Sequence, residues 1–411
     1  MTEHAPTDEI RDDTDPSTFP DAASSSTAEP PVSDWNPRGP RARRDAVALY
    51  DDMRARCPVA RGPSAAWTLF THADVMAAAL DHEIFSNGAS RHLQVPNGLD
   101  GPTHTVFRAL VDRYFTKARM AAVEPVVQRV AADLVGQLRV PGGIDAVETG
   151  SRFAVRAQSA WLGWPAELEG ELLQWMEANR RATRSRDPSR TAEVARWFDA
   201  IIRSLTDARR RAGDEAPDDV TTELVRARVD GRELVDGEIV SILRNWTGGD
   251  LGSMALCAGV VLIYLADHPD LQARLRSGVP DQEFNAVLDE ILRIDDPFVV
   301  NRRVTTESVT VGGRALAAGD RVFLNWTSAN RDPRMFGDPE RFDPVGNAPY
   351  NLVYGIGKHV CPGRPLATLE LRALTRAVLE ATTAIEPDPD RPRERELPPV
   401  GGFAVAPLIL R

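Results

Sequence analysis

The stretch Tyr354-Gly355-Ile356-Gly357-Lys358-His359-Val360-Cys361-Pro362-Gly363 says more about this chain than any other. It follows a loop rich in Pro, Asp and Gly that runs from Arg331 to Tyr350. It precedes a helical pattern over Arg364 to Ala381. Cys361 therefore falls at a predicted helix N-terminus, where the dipole and the free N–H groups favour a thiolate. Pro362 suits the first helical position, because its missing N–H would be orphaned there in any case. Gly355, Gly357 and Gly363 let backbone come close to a neighbouring group where a Cβ would obstruct it. A lone Cys in a Gly-rich turn is more often a buried structural residue. The spacing of glycines, basic residue and Cys is what points to a ligand.

Working outward, the chain has 411 residues, 42% of them hydrophobic, enough for a large buried core. A formal charge of −11 disfavours nucleic-acid binding. The three cysteines, Cys57, Cys257 and Cys361, are an odd, sparse set that suits a reducing compartment rather than a disulfide framework. Met1 to Glu9 are polar and acidic, so no secretory signal is expected. The longest apolar stretch, Leu251 to Ala266, runs into Asp267, His268 and Asp270 and reads as a buried helix, not a membrane span. The expected location is the cytoplasm.

Residues 1–34 are rich in Ser, Pro, Thr, Asp and Glu and are expected to be a disordered tail. Residues 35–411 show no clean linker and are expected to form one domain. Helical spacing covers Ala46 to Arg56, His72 to Leu80, His104 to about Ala266, and Pro280 to Ile294. Strands are expected at Trp67 to Phe70, at Val304 to Val311 and Arg321 to Asn325 around a Gly312-Gly313 turn, and as a pair within Gly401 to Leu410. The fold class is mainly α, with small β-sheets.

The cysteine stretch resembles the haem loop of the cytochrome P-450 superfamily: an aromatic, two glycines, a basic residue, then Cys-x-Gly. Tyr354 stands in the usual Phe place, and His359 lies two before the Cys, as in many bacterial members. The resemblance runs from about residue 35 to the C-terminus. It implies a cytochrome P-450 fold in a single haem-thiolate domain, with haem b (iron protoporphyrin IX) whose iron is held by Cys361. It also implies a monooxygenase that places one oxygen atom of O2 in a small hydrophobic or aromatic substrate, by hydroxylation or O-dealkylation. Glu290 and Arg293, three apart on one helix, match the family's buried pair, and Arg341 matches the third member that shares the carboxylate. His104 and Arg108, four apart on one helix face, match a propionate-binding element, and Arg303 and His359 match two further propionate-binding positions. Tyr354 completes the cofactor-binding set.

The long helix from about Val235 to Asp267 departs from the family at its centre, Trp246-Thr247-Gly248-Gly249-Asp250-Leu251-Gly252-Ser253. Glycine inside a helix costs about 1 kcal/mol relative to Ala, so three of them need a reason. Asp250 fits the expected acid, but Leu251 occupies the usual Thr position and has no hydroxyl for a proton relay. Thr247, on the same face one turn earlier, or an ordered water would stand in. A substrate hydroxyl is another candidate. The alternative is a peroxide-driven or non-oxygenating haem-thiolate enzyme. On the relay reading, Leu251→Thr is expected to raise the share of reducing equivalents recovered in product.

By resemblance the substrate pocket takes in Leu243, Trp246, Thr247, Phe298, Val299 and Phe403, under a lid from Ser90 to Leu99 in which Arg91 or His92 would attract a carboxylate. The sequence shows no fused flavin or iron–sulfur domain, so electrons are expected from a ferredoxin and its ferredoxin reductase. Both lysines, Lys117 and Lys358, with Arg113 and Arg364, are expected near the cysteine face, where a basic patch steers an acidic donor.

Overall fold

Elements rich in 3.6-residue periodicity and poor in β-branched runs become helices here, and they make most of the molecule. The structure, a computed structural model, describes residues 33–90, 92–185 and 187–411. The expected tail lies outside the described residues, except for Ser33 and Asp34. These two belong to the folded unit, a correction to the boundary at residue 34: the Arg61 N–H and the Arg314 guanidinium both donate to the Asp34 carboxylate, at 2.7 and 2.5 Å.

Eight helices frame the interior: α1 (Gly101–Asp112), α2 (Lys117–Gly136), α3 (Ala146–Leu162), α4 (Glu169–Ser185), α5 (Pro188–Ala212), α6 (Asp236–Asp267), α7 (Asp281–Ile294) and α8 (Arg364–Ala381). Their starts follow from capping. Asp145 accepts from Val147 N and Glu148 N at α3, and Thr116 accepts from Arg119 N at α2. α6 is long and apolar enough to cross a bilayer by composition, but most of that stretch is buried inside the protein. It is the central helix of the largest apolar cluster.

What holds α6 in place is its close approach to α3. A Cβ added at Gly150 of α3 would lie 2.7 Å from Ala258 Cβ, and one at Gly259 of α6 would lie 2.7 Å from a Val147 methyl. Gly249 and Gly252 of the same helix are different, because an added Cβ at either meets nothing within 4 Å. Packing therefore does not require glycine at these two positions, whereas a Cβ at Gly248 would meet Phe198 and Trp175 at 3.4 and 3.5 Å.

Five short strands form one sheet in the order Val59–Arg61, Trp67–Leu69, Arg321–Asn325, Val300–Thr305, Phe85–Ser86. The strand Val300–Thr305 begins earlier than its sequence pattern suggested, and a second strand, Val309–Val311, hairpins with Arg314–Leu316 through Gly312 and Gly313, both with positive φ. The expected C-terminal strand pair is corrected in its pairing. Phe403–Val405 pairs with Glu394–Arg395, whereas Pro407–Leu410 lies between Ile385–Pro387 and Gly142–Asp145. The single intervening residue, Ala406, leaves no turn in which the two could fold back on each other.

The contrast between glycines is testable. Gly150→Leu should lower unfolding free energy by about 1–3 kcal/mol through overpacking, whereas Gly252→Ala should raise it by about 1 kcal/mol. Urea unfolding of the two variants measures this, and similar losses in both would contradict the packing described.

Candidate functional site

The cysteine loop closes on itself before it meets the helix. Gly355 and Gly357 take φ of +72° and +74°, a left-handed backbone open to Gly, and the Cys361 N–H returns to the Tyr354 carbonyl at 2.9 Å. α8 begins at Arg364, and its N-terminal proline is Pro365 rather than Pro362, which sits in the preceding turn. The sulfur still gains what a helix start offers. Burial raises the Cys361 thiol above its ordinary range, opposed by N–H groups of Gly363 and Arg364 directed at it.

The sulfur borders a cavity of about 540 Å³, a size usual for cofactor and small-molecule sites. Tyr354 lines it beside the sulfur, with its ring under the Arg364 guanidinium and its hydroxyl 3.3 Å from that of Thr368. Phe115, Trp161 and Trp246 form one wall, their rings in contact at centroid distances of 5.2 to 5.7 Å.

On another side, cations converge with little to balance them. The His104 and His359 rings lie 4.2 Å apart, and both are pushed down to about 4. Burial is the main cause; for His104 the charges of Lys358 and Arg108 add to it, and for His359 the neighbouring His104 and Arg303. Arg303 is itself lowered to about 10 by burial. Asp100 is the carboxylate in this group, and it already accepts from Ser86 and Asn87 and lies 3.2 Å from His359 Nε2. His104 Nδ1 and Arg303 Nε are buried with no partner among the described residues. Buried donors without acceptors are costly, and an acidic group entering here satisfies them. Arg108 is turned onto the loop instead. Its Nη1 donates to the Lys358 and Val360 carbonyls at 3.0 and 2.7 Å, and its Nε pairs with Asp112. The residues present therefore fit a flat, dianionic group with a metal above Cys361.

Glu290 and Arg293 form a fully buried bidentate pair at 2.8 and 2.9 Å. Arg341 is corrected here: it is exposed and offers only its backbone carbonyl to Arg293. The Glu290 carboxylate is completed by Asp343 N at 2.9 Å and Asn347 Nδ2 at 2.7 Å. Two neutral donors from the loop replace a second guanidinium, and the loop is anchored all the same.

α6 presents Asn245, Trp246, Gly249, Asp250, Ser253, Met254 and Cys257 to the cavity. Thr247 and Leu251, expected there, are not. Thr247 is fully buried with its hydroxyl donated to the Leu243 carbonyl at 2.7 Å, and Leu243 and Leu251 are packed in the apolar core. The helical period puts them round the axis from the cavity face. Val299 and Phe403 are core residues too. Phe403 lies under the Arg395 guanidinium, and Val299 packs with Trp35, Tyr50 and Phe70, while Val300 and Asn301 border the cavity. Phe298 does border it. Of the loop expected as a lid, Ser90, Gln94, Pro96 and Asn97 border the cavity, and Ser241 and Asn245 of α6 hold the loop by its backbone at Leu93 and Val95. Arg91 lies outside the described residues.

Sequence reasoning missed a buried acid pair. Glu370 of α8 lies against Asp250, whose Oδ2 accepts from Gln158 Nε2 at 2.5 Å. With both acids ionised, Glu370 finds no donor among the described residues, so the pair is held by a shared proton. Burial lifts both, Asp250 to about 6. The signal available was an acid between Leu369 and Leu371 on an apolar helix face.

The cytochrome P450 family profile matches residues 181–408. The chain is 33% identical over 357 residues to the cyclomarin C epoxidase CymV of Salinispora arenicola (strain CNS-205), covering 82% of this chain and 88% of that protein. It is 34% identical over 286 residues to the 6-deoxyerythronolide B hydroxylase of Saccharopolyspora erythraea, covering 68% of each. Among solved structures, ligand-free cytochrome P450 TbtJ1 superposes with a TM-score of 0.80 at 27% identity, covering 93% of this chain and all of that one.

The shared proton sets a pH dependence. The folded protein holds protons that the unfolded chain releases near the ordinary carboxyl pKa of about 4. Stability from the pair is full below that value and is lost as pH rises through about 6. Asp250→Asn should flatten the fall in Tm between those limits in calorimetry; an unchanged slope would contradict the shared proton.

Proposed function

The chain belongs to the cytochrome P450 family and is a haem-dependent monooxygenase, and from that premise we propose how its own residues serve the reaction. The cofactor is haem b, with Cys361 as the iron ligand. When bound, it supplies oxygen activation, which a thiolate ligand favours. The observation that carries this reading is the Cys361 sulfur, hung on two helix-start N–H groups and facing the cavity beside a cluster of unbalanced cations.

Arg303, His359 and His104 hold the propionates, the last two as donors whose charge the propionates restore. Arg108 Nη2, without a hydrogen-bond partner among the described residues, joins them, and Nη1 fixes the cysteine loop. Glu290, Arg293 and the Asn347 amide hold that loop from behind.

Protons reach the cavity through Glu370, Asp250 and Ser253. Gln158 orients Asp250, and Ser253, whose hydroxyl donates to the Gly249 carbonyl, borders the cavity where Leu251 does not and must turn from that bond to pass a proton. A carboxyl near 6 is matched to proton transfer close to neutral pH. The substrate's reacting end is a hydrophobic or aromatic group placed against Trp246 and Phe298. The amides of Gln94, Asn97 and Asn301 at the mouth take its polar remainder. Hydroxylation and epoxidation, the activities named for the two relatives, are both insertions of one oxygen atom.

Electrons come from a ferredoxin and its reductase. Arg113 and Lys117 are exposed, and Arg364, three residues after Cys361, is paired to Asp289; these cations would meet an acidic donor. The three free thiols suit the cytoplasm.

Turnover supported by ferredoxin, reductase, NAD(P)H and isotopically labelled O2 should place the label in product, and Glu370→Gln should lower product per electron by on the order of tenfold. Leu251→Thr should leave that ratio unchanged, because its side chain is outside the cavity. Faster turnover with hydrogen peroxide alone, insensitive to Glu370→Gln, would favour a peroxide-driven enzyme.

A further inference from the structure

The strand Val300–Thr305 is paired unequally on its two sides. Arg321–Asn325 pairs with it from Val300 to Val304. On the other side Phe85–Ser86 pairs only with Thr305 and Val304 and then ends. Val300 to Arg303 are left there as a free edge, and all four border the haem cavity. Successive strand residues point to opposite faces, so a face would bring only alternate residues to a cavity. Four in a row mean that the edge itself runs along it.

The phase of the hydrogen bonds shows what this edge offers. Trp326 N–H donates to the Val299 carbonyl at 2.8 Å, and Thr305 N–H donates to the Asp320 carbonyl at 3.0 Å. Odd-numbered residues therefore turn their backbone toward Arg321–Asn325, and even-numbered ones turn it away. Thr306 N–H agrees, donating to the Ile84 carbonyl at 2.9 Å on the other side. Val300 and Arg302 thus direct their backbone groups to the cavity side. The Arg302 carbonyl is taken by Arg303 Nη1 at 2.8 Å. The Arg302 N–H and both backbone groups of Val300 have no partner among the described residues.

The missing neighbour has a physical cause. Continued in register, Gly88 would face Arg302. Its N–H instead donates to the Ser86 hydroxyl at 3.0 Å, and the Asp100 carboxylate takes the Asn87 N–H at 2.8 Å and the Asn87 side-chain amide at 3.0 Å. These bonds turn the chain off the strand and leave the edge uncovered. An uncovered edge is a template for another extended chain. Val300 offers a donor and an acceptor on one residue, and Arg302 repeats the donor two residues on. An extended peptide repeats its carbonyl at that interval.

We propose that the substrate is a peptide whose backbone adds to this edge as a further strand while an apolar side chain enters the haem cavity. Val300 N–H and Arg302 N–H donate to two of its carbonyls, and the Val300 carbonyl accepts one of its N–H groups. This rests on the monooxygenase reading of the cavity and names its substrate class.

The test titrates the ferric holoenzyme by calorimetry with N-acetyl-leucyl-phenylalanyl-leucinamide, against the same peptide N-methylated along its backbone. We expect the unmethylated peptide to bind at least about tenfold more tightly. Proline is tolerated at a sheet edge where its missing N–H faces outward. Val300→Pro and Arg302→Pro should therefore fold, weaken the peptide by about fivefold each, and leave imidazole binding at the iron unchanged. Val300→Ala, which keeps the N–H, should bind the peptide as the natural protein does. Equal binding of the methylated peptide overturns backbone recognition. Unchanged affinity in both proline variants places the peptide elsewhere and overturns the edge, and equal weakening by Val300→Ala assigns the effect to a side chain and does the same. No peptide binding by a holoenzyme that takes imidazole and shows a thiolate carbon monoxide band overturns the peptide class alone, whereas absence of that band overturns the haem-thiolate reading beneath it.

Discussion

A sulfur buried at the start of α8 is the constraint around which the rest is arranged. Burial alone drives Cys361 toward the neutral thiol, and two N–H groups at the helix start pull the other way. A metal ion settles that contest, since a coordinating thiol is deprotonated outright. The loop must then hold still. Its rigidity comes from left-handed Gly355 and Gly357, from the Cys361 N–H to Tyr354 carbonyl bond, and from Arg108 bonded to two of its carbonyls. Behind it, the buried Glu290–Arg293 pair ties the preceding segment to α7. Its worth lies in what breaking it would leave: a carboxylate in the core with only neutral donors.

The cation cluster follows from the same demand. Gathering two histidines and three basic side chains near Asp100 and Asp112 is unfavourable without a further anion to join them. The depressed His104 and His359 and the unpartnered Arg303 Nε record that imbalance. Asp250 of α6 and Glu370 of α8 are the reverse case, two buried acids sharing a proton.

How much of this was legible in the sequence varied with the kind of signal. The helices were readable because their apolar periodicity and caps are local, and α6, α7 and α8 began within a residue or so of where the pattern put them. The cysteine loop was readable because its glycine spacing is dictated by backbone geometry. Facing was harder. Thr247 and Leu251 looked suited to the cavity by linear position, but their side of α6 packs into the protein interior, and Ser253 borders the cavity instead. Arg341 was assigned a role its side chain does not have, and the Asp250–Glu370 pair was missed, for a related reason. Partners brought together from distant parts of the chain leave no spacing to count.

The central claim is the bond between Cys361 and the haem iron. It is tested most directly by reducing the purified holoenzyme under carbon monoxide and recording the Soret band, in the natural protein and in Cys361→His. The natural protein should show the long-wavelength band of a thiolate-ligated haem, and the variant should keep its haem but show the shorter-wavelength band of imidazole ligation. A thiolate band that survives in the variant would contradict the account, because the sulfur on the iron would then belong to another residue.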